Sequence, residues 1–121
     1  MTAAPSWYTL PDFLIREFPQ LREEIEEEYF AYMNVTANPM PHFFLVDVLL
    51  PLLAGDSIVR DDASRRRAGE ILDQLLTSSD EDLAEAALLS VWEMIRDSEV
   101  LREKTSAFLG PISREWLERS R

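Results

Sequence analysis

Cysteine is absent from the 121 residues, glycine occurs three times and histidine once. Without cysteine there are no disulfides, thiolate metal sites or thiol nucleophiles, and a reducing compartment is the simplest home for the chain. So little glycine, with no sustained apolar/polar alternation, argues against sheet, and the abundant Leu, Glu, Ala and Arg favour helix. The catalytic inventory is nearly empty. There is no glycine-rich phosphate loop, no helical His pair and no Glu-x-x-His spacing of the kind metal sites use. A serine triad would have to recruit His42, yet no serine stands in a Gly-x-Ser-x-Gly elbow. Long hydrophobic runs are missing too: the most apolar, Phe43 to Leu53, is interrupted by Asp47 and Pro51 and falls short of the roughly 20 residues that span a bilayer. The start, Met1 to Ser6, has no basic segment followed by an apolar core and so does not read as a secretory signal. A soluble, cytoplasmic protein without cofactor or metal is expected.

The chain does carry 46% hydrophobic residues, enough to fold unaided at a length that suits one core. Its net charge is -11, which repels phosphate backbones and anionic lipid surfaces, so neither nucleic acid nor membrane is an expected partner. The charge is uneven. Residues 1–30 hold seven acids against two bases and residues 78–100 seven against one, whereas 60–67 and 101–121 are each net +2.

Punctuation by proline, glycine and capping residues divides the chain into helical segments. Pro11 opens a short one to Phe18. Pro19 separates it from a longer one, Gln20 to Met33, on which Leu21, Ile25, Tyr29 and Tyr32 share a face. Asn34 to Pro41 reads as a loop. The third segment, His42 to about Ala54, is apolar nearly all round and is expected to be central, with a kink or broken turn at Pro51 and an end at Gly55-Asp56. Asp61 or Asp62 caps a fourth reaching Leu76, with Ala68, Ile71, Leu72, Leu75 and Leu76 inward. Ser79 with Asp82 resembles a capping box before a fifth, which runs to about Arg96 and buries Ala84, Ala87, Leu88, Val91, Met94 and Ile95. A short turn at Val100 to Lys104 and a last helix from Pro111 to Arg119 follow, with Gly110-Pro111 as stop and start. The expected fold is all-α: a single-domain irregular bundle of about six helices with helical-repeat-like antiparallel packing, though no internal sequence repeat is visible.

Few side chains stand out as chemistry. His42 reads as a partly exposed helix-start residue. Asp47, an acid in a greasy helix, aligns with Pro51 and Ala54 as a narrow solvent strip; catalysis by Asp47 and neighbouring carboxylates is the weakest of the functional alternatives. The run Glu23-Glu24-Ile25-Glu26-Glu27-Glu28 lacks the converging geometry of a hard-cation site, and reads as a solvated face or as a docking surface for a basic partner. Phe30 lies on the same side as Glu23 and Glu27, as an interface anchor ringed by steering charges would, or else packs against Trp7 and Tyr8. The acidic start of the fifth helix, Asp80, Glu81, Asp82 and Glu85, is a second candidate docking surface. On its far side Leu89 opposes the buried stripe, with Trp92 at the flank, and is expected to be sandwiched between layers. Arg65 to Arg67 is expected to pair with the acidic blocks.

From the third helix onward the chain resembles a family of small bacterial all-helical proteins, some of them immunity proteins of toxin systems. The matching residues are Leu49-Leu50-Pro51-Leu52-Leu53, the run Ala68 to Leu76, Ser79-Asp80-Glu81-Asp82, Val91-Trp92-Glu93 and Phe108-Leu109-Gly110-Pro111. The resemblance implies a non-enzymatic inhibitor that binds a basic toxin, and it carries over no catalytic residues. The expected partner is therefore a basic protein, contacted through Glu23, Glu24, Glu27, Phe30, Asp80, Glu81, Asp82 and Glu85. A self-associating scaffold, dimeric through Leu89 or Trp92, is the alternative.

Overall fold

A computed structural model describes residues 5–6, 9–33 and 41–120, with the backbone alone for 28–33, 41 and 43. The described residues form seven helices and no strand, an all-α single-domain bundle. The expected loop 34–41 lies largely outside them, as do Trp7, Tyr8 and the side chains of Glu28, Tyr29, Phe30 and Tyr32.

Helix α1, Leu10–Glu17, buries Leu10, Phe13 and Leu14. Pro19 starts a 3-10 turn, Pro19–Leu21, that runs into α2, Arg22–Met33, because its fixed φ suits a helix start and its missing N–H is not needed there. The third helix, α3, is continuous but mixed: Pro41–Phe44, a π turn Leu45–Leu49, then Leu50–Ala54. The disturbance expected at Pro51 takes the form of this π turn. A proline ring collides with the carbonyl four residues before it, and widening the preceding turn, with the Leu50 N–H bonded back five residues to the Leu45 carbonyl, relieves that crowding. Gly55 closes the helix at φ 77°. Asp56 N–H reaches the Pro51 carbonyl at 2.9 Å and Gly55 N–H the Leu52 carbonyl at 3.4 Å, the paired bonds of a Schellman end.

Helix α4, Asp62–Leu76, is capped by Asp61, whose carboxylate accepts from Ser64 N–H at 2.9 Å and is held below its ordinary pKa by that bond. All five residues expected inward are buried. Helix α5 again combines α and π segments, Glu81–Ala87, Leu88–Trp92 and Glu93–Asp97. Its cap is Asp80, accepting from Leu83 N–H at 3.3 Å, and not Ser79. The carboxylate is the stronger acceptor at a helix N-terminus, and it stands three residues before the donor. Ser78 in turn accepts from Asp80 N–H.

The π turn in α5 overturns part of the expected buried stripe. Ile95 is inward as expected, but Met94 is 41% exposed and Trp92 only 6%. An extra residue in one turn rotates everything after it, so the α-helical count that placed Met94 inward fails beyond Leu88. The two π turns pack against each other.

Helices α6, Glu99–Thr105, and α7, Pro111–Arg119, complete the chain. Consecutive helices contact one another from α3 through α6; α6 also reaches α3, and α7 lies on α4. Gly110 supplies no cap for α7. The carboxylate of buried Asp73, on α4, does so instead, accepting from Ile112 N–H at 3.0 Å and Ser113 N–H at 2.8 Å. Two glycines make this joint possible: a Cβ at Gly110 would overlap the Asp73 carboxylate, and one at Gly69 the carbonyl of Phe108.

Candidate functional site

On α2, Leu21 and Ile25 stand four apart and are buried, which turns Glu23, Glu24, Glu26 and Glu27 outward, all exposed. Glu26 pairs with Arg22 at 3.5 Å. Among the described residues Glu23, Glu24 and Glu27 have no ion-pair partner, so their charge is presented to solvent. The side chain of Phe30, the expected anchor, lies outside the described residues.

At the start of α5, Glu81, Asp82 and Glu85 are exposed, whereas Asp80 is half-buried and engaged as the cap. Helices α2 and α5 both pack against the turn Pro41–Phe44 of α3. The arginine cluster divides its work. Arg67 bridges to Glu17 of α1 at 2.7 Å and to Glu70 at 3.0 Å, and this raises its pKa while the bond from Arg67 lowers that of Glu17. Arg65 departs from the expected acid pairing. It donates to the carbonyls of Leu53 (3.0 Å) and Lys104 (2.8 Å) and lies 3.9 Å over the Phe108 ring, closing the ends of α3 and α6.

Asp47 is exposed and Pro51 half-buried, but Ala54 is buried, so the expected solvent strip is shorter than its spacing suggested; the π turn breaks the helical count between Asp47 and Ala54. His42 is half-buried, with Nδ1 2.6 Å from Ser90 Oγ. Ser90 belongs to the π turn of α5 and is 8% exposed, so the pair ties α3 to α5. No group of three His, Asp or Glu side chains gathers to hold a metal ion among the described residues.

Trp92 is internal. Its Nε1–H donates to the Ser113 carbonyl at 3.3 Å, and its ring meets Trp116 edge-on with centroids 6.1 Å apart. Arg96 lies over the Trp92 ring and is bound by Asp97 (2.8 Å) and Glu93 (3.7 Å), which neutralise it where it lines a surface depression of about 350 Å³ with Arg102, Leu117 and Ser120. Leu89, expected between layers, is instead 46% exposed, because α7 covers only the Trp92 side of the helix.

The chain matches no family model, no curated protein and no solved structure. Two of the stretches that carry the resemblance meet in space: Gly69 and Asp73 on α4 receive Phe108 and Gly110 at the entry to α7. Their role is architectural. A residue pattern centred on that joint describes a fold and does not by itself assign a function.

Among the described residues no helix is long and apolar enough to cross a membrane.

Proposed function

We propose that the protein is a non-enzymatic binding protein of the bacterial cytoplasm, an immunity-type inhibitor that neutralises a basic toxin by occluding it with its acidic faces. The supporting observation is that Glu23, Glu24 and Glu27 on α2 and Glu81, Asp82 and Glu85 on α5 are all exposed. Carboxylates without internal partners raise the local potential and speed encounter with a cationic surface. Of the residues that a self-associating scaffold would use, Trp92 is already engaged inside the molecule.

The test is capture of a basic protein from the source cells, followed by association kinetics with the purified pair. The association rate is expected to fall steeply with added salt, and Glu23→Lys/Glu27→Lys to lower it about ten-fold or more at low salt. A rate indifferent to both salt and charge reversal would remove the docking role from the acidic faces.

A further inference from the structure

We propose that Leu89 and Met94, on the outer face of α5, form the apolar seat of the interface, onto which a cationic partner docks an apolar side chain flanked by lysine or arginine; this rests on the binding role proposed above. The two side chains are 46% and 41% exposed, and in an unbroken α-helix five residues would set them on diverging faces. The π turn changes that. The Glu93 N–H bonds to the Leu88 carbonyl, five residues back, and the same offset stacks Met94 one turn above Leu89. Single π turns inserted in α-helices recur at functional positions, and this one brings two exposed apolar residues to the same side of α5.

Charge selects the occupant. Asp82 and Glu85, exposed, precede Leu89 at helical spacing, and half-buried Glu93 follows it, itself paired with Arg96 at 3.7 Å. Two copies of this chain would set carboxylates against carboxylates around the apolar centre, and an anionic lipid surface would be repelled in the same way. A cationic protein surface with a central apolar residue satisfies both parts: the carboxylates steer it in, and desolvation of Leu89 and Met94 retains it.

The probes are two synthetic helical peptides, one of leucine and lysine at amphipathic spacing and one of equal charge with the leucines replaced by glutamine, titrated into the intact ¹⁵N-labelled protein at low salt. The expected result is that amide shifts from the leucine peptide centre on residues 85–94, and that Leu89→Ser/Met94→Ser weakens its binding about ten-fold, mainly through faster dissociation. The glutamine peptide is expected to bind wild type and variant alike, weakly. Equal binding of both peptides, or shifts confined to α2 with the serine variant unaffected, would overturn the apolar seat and leave the acidic docking role standing. Absence of any salt-sensitive binding would overturn both. A dimer abolished by the serine substitutions would replace the cationic partner with a second copy.

Discussion

Asp73 shows how much one residue can hold in place. It sits 7% exposed on α4 and caps a helix that starts about 40 positions later. Removing the carboxylate leaves the Ile112 and Ser113 N–H groups without their acceptor, and a buried donor so orphaned costs about 1–3 kcal/mol. Asp73→Ala is therefore expected to destabilise by about 2–4 kcal/mol in urea unfolding, and Asp73→Asn, which keeps one acceptor oxygen, by roughly half of that. If the asparagine variant, which fills the same volume, were as stable as wild type while the alanine variant was not, lost volume and not the carboxylate would explain the loss. Gly69 belongs to the same joint, since any side chain there displaces the carbonyl of Phe108.

Between elements, the Arg67 bridge joins α4 to α1 through Glu17. Its hydrogen bond holds the Glu17 carboxyl below its ordinary 4.5. A depressed carboxylate contributes stability that is present in full above the unfolded pKa and is lost as pH falls through the folded one. Both groups are partly solvated, so Glu17→Gln is expected to cost only about 0.5–1 kcal/mol at neutral pH. Urea midpoints of wild type and variant should converge as pH is lowered below 4.5, and a constant gap across that range would show that the bridge is not its source. The element boundaries themselves were largely legible in the sequence. Asp61 as a cap, Gly55 as a stop and Pro111 as a start are local signals, read within one turn of the residue that carries them. The π turns were not legible, except as a disturbance at Pro51, because an i→i+5 bond has no composition signature. Met94, expected inward, accordingly lies exposed. Asp73 escaped notice for a related reason: its partners lie far along the chain and no periodicity points to them. The spacing of Leu21 and Ile25 put the acids of α2 on the opposite side but left their exposure open, and it is the burial of those two residues in the structure that turns Glu23, Glu24, Glu26 and Glu27 to solvent.

For the whole molecule, a net charge of -11 opposes the compact state through self-repulsion. Among the described residues Glu23 and Glu27, which the proposed binding role uses, lack the partner that Glu26 finds in Arg22. Binding and stability should therefore respond in opposite directions to the same substitutions. Each reversal of an acid to lysine adds two charges, so Glu23→Lys/Glu27→Lys takes the net charge from -11 to -7. At low salt the double variant is expected to melt no lower than wild type, and higher by about 1–3 °C, equivalent to a few tenths of a kcal/mol. Added salt should raise the wild-type melting temperature toward that of the variant, because screening does to the repulsion what the lysines do locally. Differential scanning calorimetry across a salt series checks both statements. A variant that melted lower and stayed lower in salt would mean that Glu23 and Glu27 hold the fold together, and their place in a docking face would need another cause.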